Sequence, residues 1–241
     1  MSLHGRLHLA PLKEESLQHA LDFGTGTGIW AMEFAQKYPN CKVIGNDLSP
    51  IQPEFVTQNL EFEVDDVEDE WVYAHKFDFI HGRLMAFALT SPLTLFHRAF
   101  TSLSPGGYFE MQDPAPPIRA FDSTLTPSPA LLRTAVLLLT ATQKAGIDIT
   151  APSRYASMMA EVGFVDVKEV VINWPVGTLA KGEYHKKLGA WFRRDMEVGV
   201  EGILMGLFTR VLGMGRDEVG VLVEELKGEM RDDGLHAFQP L

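Results

Sequence analysis

The chain has 241 residues, 46% hydrophobic and 22% charged, which is enough apolar content for one domain with a large core and too much for disorder. With 32 acidic against 21 basic side chains, the net charge of −11 repels phosphate backbones and argues against nucleic acid as a direct partner. The single cysteine, Cys41, excludes an internal disulfide framework and a multi-cysteine zinc site, and it fits a reducing, intracellular compartment, cytoplasmic or nuclear.

The opening MSLHGRLHLAP has no apolar signal-peptide run. Up to residue 113, short apolar runs alternate with helical patterns, the mark of βαβ units and a parallel sheet. Residues 20–24 read as a strand. Residues 29–38 read as a helix with Trp30, Ala31, Phe34, Ala35 and Tyr38 on one face and Glu33, Gln36 and Lys37 on the other. Residues 42–47 form a second strand; Leu60, Phe62 and Val64 alternate with Glu61, Glu63 and Asp65 in a third. Residues 77–81 are a fourth strand, 92–103 a helix and 108–112 a fifth strand. Between 111 and 130, Pro114, Pro116, Pro117, Pro127 and Pro129 exclude regular structure and describe a stiff excursion. The helix expected over 130–144 is apolar nearly all round (Leu131, Leu132, Val136, Leu137, Leu138, Leu139) and requires cover on more than one side. Its apolar run at 135–139 is far short of the roughly 20 residues that span a bilayer, so no membrane partner is expected. Residues 154–162 read as a helix, 165–174 as a long strand, 184–230 as mostly helical with breaks near Gly213 and Gly215, and 236–241 as a short final strand.

The most informative residues follow the first strand and open the first helix: Asp22, Gly24, Thr25, Gly26, Gly28. Glycines there let the backbone turn sharply and admit a ligand with no Cβ in the way. A dinucleotide fingerprint needs a small third residue, and counting from Gly24 and Gly26 that position is the bulky Ile29; no Lys-Ser/Thr follows for a phosphate-binding loop. The spacing present is Asp-x-Gly-x-Gly-x-Gly. Asp47 ends the second strand about 20 residues on, where an acid accepts from ribose hydroxyls or, alternatively, caps the turn through Leu48, Ser49 and Pro50. The acidic run 63–70 lacks the glycine-centred ladder of an EF-hand, and Glu68, Asp69 and Glu70 read as solvated. His4 and His8 stand four apart, but Gly5 and Pro11 oppose a helix presenting both, and no metal site is expected.

That glycine spacing resembles motif I of the class I S-adenosylmethionine-dependent methyltransferases. The stretches GTGTGIW (24–30), VIGNDLSPIQP (43–53), FEVDD (62–66), FDFIHGR (77–83) and LSPGGYFE (103–110) further resemble the fungal family that includes LaeA-type regulators of secondary metabolism and small-molecule methyltransferases. The likeness is strong over 9–113 and weaker over 160–240, where GFVDV (163–167) and LGM (212–214) echo it. It implies an α/β, Rossmann-like class I methyltransferase fold: a seven-stranded, mostly parallel sheet with helices on both faces and a helical lid. The implied organisation is a single domain, with a cofactor-binding half at 1–113 and substrate-covering segments at 114–160 and 175–232. The implied cofactor is S-adenosyl-L-methionine, released as S-adenosyl-L-homocysteine. Gly24, Thr25, Gly26 and Gly28 would accommodate it, Asp22 would bind its amino end, Asp47 would hold the ribose, and Leu48 would be a further cofactor contact. Asp65 would accept from the adenine amine, helped by the backbone of Asp66. Members of the family carry a longer segment before the first strand and a longer last strand.

In open α/β sheets the ligand lies at the carboxyl ends of the strands, which places His81, Arg83, Glu110 and Gln112 near one crevice. His81 is the candidate base, or else a histidine bonded to loop backbone. Arg83 would orient an anionic acceptor or pair with an acid; Glu110 and Gln112 would contact substrate or serve as structural partners. The expected reaction is methyl transfer to O, N or C of a small hydrophobic secondary metabolite, with the proline-rich excursion and helix 130–144 covering the acceptor or packing on their own domain or a second subunit. Two other readings stand beside it: a regulator acting through protein partners, and a cofactor-binding cyclase that transfers no methyl group.

Overall fold

The structure is a computed structural model that describes residues 3–120, 122–125 and 128–241. In chain order the first elements are β1 (His19–Phe23), α1 (Ile29–Lys37), β2 (Lys42–Asp47), β3 (Leu60–Val64), β4 (Phe77–Arg83), α2 (Pro92–Ser102) and β5 (Leu103–Gln112). There follow β6 (Arg119–Ala120), α3 (Pro129–Lys144), α4 (Tyr155–Val162), β7 (Asn173–Pro175), α5 (Glu183–Leu207), α6 (Arg216–Met230) and β8 (Ala237–Pro240). They form two compact units: Leu3–Asp113 with Arg154–Glu169, and Pro114–Ser153 with Val170–Leu241.

The first unit is built on five parallel strands in the order β3-β2-β1-β4-β5. Parallel strands need crossovers, and α1 and α2 supply two of them. The apolar face read for the first helix is the face that packs: Trp30, Ala31, Phe34, Ala35 and Tyr38 are buried against Leu17, Ala20, Val43, Leu60 and Phe79. Phe34 and Phe79 are wholly buried, each worth about 1.5–3 kcal/mol of transfer free energy. On α2, Phe96 meets Phe109 and Tyr155 edge-on with ring centroids 5.2 and 5.0 Å away, which brings α4 into the same unit.

In the second unit β6, β8 and β7 make a small antiparallel sheet in that order. Leu131 and Ala141 of α3 pack with Phe192 and Leu204 of α5, Phe208, and Leu222 and Leu226 of α6. The helical stretch breaks at Gly213, in the left-handed conformation at φ 71°, as its sequence implied. Helix α3 buries Leu131 but leaves Leu132 and Val136 exposed. No helix among the described residues is long and apolar enough to cross a membrane.

Three sequence expectations are modified. The strands divide into five parallel and three antiparallel, because the last strand pairs with β6 and β7. The strand expected over 165–174 shortens to Asn173–Pro175: Asp166 takes a positive φ of 54°, which breaks an extended run, and Val165, Val170 and Val171 stay exposed. The proline-rich excursion admits one short strand, Arg119–Ala120; its Pro127 lies outside the described residues.

Asp113, just beyond β5, is buried and accepts hydrogen bonds from the Ala86 N–H and the Tyr155 hydroxyl, each at 3.1 Å. Burial outweighs these donors and a further backbone bond from Met85, and pushes its carboxyl up to about 6. The folded protein therefore holds this proton more tightly than the unfolded chain, and its stability falls as pH rises from about 4 to about 6, then levels. The charged form costs roughly 3 kcal/mol at neutral pH. Asp113→Asn is expected to gain about 2–3 kcal/mol over wild type between about pH 4.5 and about pH 7 in urea unfolding. A stability difference constant over that range would remove the assignment.

Candidate functional site

The turn from β1 to α1 passes through three glycines with positive φ: Gly24 at 62°, Gly26 at 57° and Gly28 at 77°. They differ in what they make room for. A Cβ on Gly24 would sit 2.1 Å from Met85 Sδ and one on Gly28 would sit 2.2 Å from Phe62 Cζ, whereas one on Gly26 would meet nothing within 4 Å. Gly26 faces open space; Gly28 makes room for the Phe62 ring and, unlike Gly24 and Gly26, does not line the cleft beneath the turn, where a binding role was expected of it. Two backbone bonds of 2.9 Å pin the turn, Thr25 N–H to Asn46 O and Gly28 N–H to Thr25 O.

Beneath this turn, at the carboxyl ends of β1, β2, β3 and β4, lies a cleft of about 450 Å³. Its lining includes five carboxylates (Asp22, Asp47, Asp65, Asp66 and Glu68) and, among the described residues, a single cation, Arg83. Apolar surface comes from Leu48, Val67, Met85 and Leu89. Leu48 is 66% exposed, a free apolar side chain at the cleft edge.

Asp22 is nearly buried, and each of its oxygens has a donor: His81 Nδ1 at 2.7 Å on Oδ1 and Thr25 Oγ1 at 2.6 Å on Oδ2. Asp47 accepts from Gly26 N–H on Oδ2 and from Ser49 N–H on Oδ1, both at 2.9 Å. It caps its own turn, the second of the two sequence readings, and also lines the cleft. The Asp65 N–H donates to Asp47 O at 3.2 Å, and Asp66 Oδ1 accepts from the Glu68 N–H at 2.9 Å. Glu68 is not simply solvated: it accepts from the N–H groups of Thr90 and Ser91 and the Thr90 hydroxyl, fixing the two residues that lead into α2. Asn46 also lines the cleft; its Nδ2 donates to Tyr73 Oη at 3.0 Å, while its buried Oδ1 has no partner among the described residues. Asn46 and Met85 carry no sequence signal beyond adjacency to Asp47 and Arg83.

Three further expectations are corrected. His81 is fully buried, does not line the cleft, and lies under the Trp30 ring at a centroid distance of 3.7 Å and an interplanar angle of 6°. A base must reach the proton it removes, and His81 is covered. Glu110 and Gln112 do not line the cleft either. The Glu110 carboxylate accepts from the N–H groups of Leu9 (2.9 Å) and Ala10 (2.7 Å), and Gln112 Nε2 donates to Leu7 O at 3.1 Å. Both side chains therefore hold residues 7–10 against the sheet rather than contacting substrate. His8 belongs to this strap: its Nε2 lies 2.8 Å from Tyr38 Oη and its Nδ1 2.9 Å from Ala10 O, with burial lowering its pKa. Trp30 Nε1 donates to Leu7 O at 3.0 Å and ties the strap to the cleft wall.

The donor set suits a cationic nucleoside. Carboxylates at two strand ends can accept hydrogen bonds from hydroxyl and amine groups, the open Gly26 leaves room for a close approach, and the apolar edge residues offer a surface for a flat ring. A pyrophosphate would meet five negative charges. Substituting Glu110→Ala is expected to speed hydrogen exchange at the Leu9 and Ala10 amides by at least ~10-fold while β1 amides keep their protection. Unchanged exchange at those two amides would remove the strap.

Residues 3–169 match the family described as Methyltransferase domain. The chain is 36% identical over 237 residues to Methyltransferase pytC of Aspergillus terreus, spanning 98% of this chain and 73% of that protein. It is 35% identical to Secondary metabolism regulator LAE1 of Cochliobolus heterostrophus, over 97% of this chain and 78% of that one. Among solved structures, phosphoethanolamine N-methyltransferase 2 of Haemonchus contortus, in complex with S-adenosyl-L-methionine, superposes with a TM-score of 0.57 over 99% of this chain and 50% of that one. At 17% identity this last likeness speaks for the fold.

Proposed function

The chain belongs to the Methyltransferase domain family, and on that premise we propose that it moves the methyl group of S-adenosyl-L-methionine to a small hydrophobic acceptor of secondary metabolism. The observation that carries the reading is the glycine turn set over a cleft lined, among the described residues, by five carboxylates and one cation. When bound, the cofactor supplies a methyl group on a sulfonium, an excellent leaving group that needs no activation. The chain's own work is to hold and align.

Asp47 accepts the ribose hydroxyls on the lone pairs that Gly26 and Ser49 leave free. Asp65 accepts from the adenine amine, and Leu48 covers the ring. Asp22 faces the ammonium end. Among the described residues these carboxylates make no ion pair with a lysine or arginine, so their field remains available to the positive charges of the ligand. Arg83, exposed at the end of β4, orients an acceptor bearing negative charge. No side chain is obliged to act as base; alignment alone contributes several kcal/mol.

The likeness to LAE1 favours a second reading, a regulator that keeps the cofactor site and acts through a protein partner. Turnover separates the two, since an acceptor of polycyclic or polyketide type gains one methylene of mass only under the first. For the cofactor, calorimetry with S-adenosylmethionine and S-adenosylhomocysteine on wild type and Asp47→Ala is expected to show binding weakened by about 1.5–3 kcal/mol in the variant. Equal affinity in both proteins would take the ribose contact away, and no binding to wild type would take the function with it.

A further inference from the structure

The pairing of β1 with β4 sets Asp22 directly beside His81, and neighbouring residues in register project from the same face of the sheet. Their side chains meet at 2.7 Å in a place closed to water. A carboxylate only accepts, so His81 Nδ1 carries the proton in this bond. His81 Nε2 is buried and has no partner among the described residues. The bond to Asp22 therefore uses Nδ1 as its donor, and Nε2 takes no part in holding the acid.

Trp30 prevents the imidazole from leaving that orientation. Its ring lies parallel to His81 at 3.7 Å and stacks on Phe34 at 4.7 Å, and its Nε1 is fixed on Leu7 O. Thr25 Oγ1 fixes the other carboxylate oxygen at 2.6 Å. Each oxygen of Asp22 thus keeps one held donor and one free direction, and Asp22 lines the cleft while His81 does not.

We propose that His81 is a positioning residue: clamped by Trp30, it aims the Asp22 carboxylate at the ammonium of the cofactor's amino-acid end. This rests on the cofactor reading above and adds to it the group that orients the acid. It separates from a merely structural role by ligand choice. S-adenosylhomocysteine carries the amino-acid end, whereas 5′-methylthioadenosine keeps the nucleoside and thioether and lacks it.

Binding of both ligands is measured on wild type, His81→Phe and His81→Asn. His81→Phe is expected to weaken S-adenosylhomocysteine by at least ~10-fold and methylthioadenosine by less than ~3-fold. His81→Asn, whose amide N–H takes the place of Nδ1–H, is expected to stay within ~3-fold of wild type for both. Equal losses for the two ligands in His81→Phe, or an Asn variant as weak as the Phe variant, would overturn the proposal. If His81→Phe fails to fold, Thr25→Val removes the other donor to Asp22 and is read by the same ligand ratio. Nitrogen-15 spectra of wild-type His81 are expected to show a proton on Nδ1; protonation at Nε2 alone would overturn the proposal too. Wild type binding neither ligand would instead mark failure of the cofactor reading itself.

Discussion

Parallel pairing of β1 with β2 on one side and β4 on the other is the constraint from which the site follows. All three strands end at the same edge, so residues far apart in the chain (Asp22, Asp47 and His81) arrive together. The register then decides which of them touch. Asp22 lies opposite His81, and Asp47 comes within reach of the turn that β1 feeds. That turn closes only with left-handed residues at Gly24, Gly26 and Gly28, two of which have a neighbouring side chain where a Cβ would stand. A shift of one residue in either pairing would send Asp22 or His81 to the other face and dissolve the arrangement.

The same constraint governs charge. Carboxylates at a cleft lip must be solvated by something, and here the partners are donors other than lysine and arginine: backbone N–H groups for Asp47 and Glu68, a hydroxyl and an imidazole for Asp22. Hydrogen bonds of this kind stabilise the charged form without cancelling it. An arginine in any of those positions would have held the acid equally well and left the cleft neutral. The strap at residues 7–10 uses the same chemistry, with Glu110 taking two backbone N–H groups and Gln112 giving its amide to Leu7 O. Through Trp30, which donates to Leu7 O and covers His81, the strap and the floor of the cleft share one ring.

What the sequence made legible was local. Alternation and helical periodicity located β2 at its observed bounds, and the buried face of α1 consists of the residues its spacing picked out. The glycine turn was readable because its backbone demands a particular residue type at each step. Contacts between distant segments were not. Glu68 meets Thr90 and Ser91, and Glu110 meets Leu9 and Ala10, partners that share no periodicity with them. A charged residue bonded across the fold reads in one dimension like a solvated one. His81 illustrates the opposite error: a titratable residue at a strand end suggests a base, and only the register with β1 and the Trp30 ring show that it is covered. The β-branched run at 165–174 misled for a further reason, since propensity is overridden by the single left-handed residue Asp166.

The competition between nucleotide cofactors turns on charge more than on shape. A glycine turn between a strand and a helix admits a dinucleotide as readily as a sulfonium nucleoside, and an acid at the end of the second strand serves any ribose. Phosphate sites rely on helix N-termini and cations, and the one cation lining this cleft among the described residues is Arg83. Each of the five carboxylates raises the cost of bringing a phosphate into the cleft and lowers that of bringing an ammonium or sulfonium, by about 1 kcal/mol at 4 Å in bulk water and more where the wall is dry. Selection is therefore spread over residues from four separate segments. No one of them specifies the ligand alone, and the parallel sheet is what adds their effects at one point.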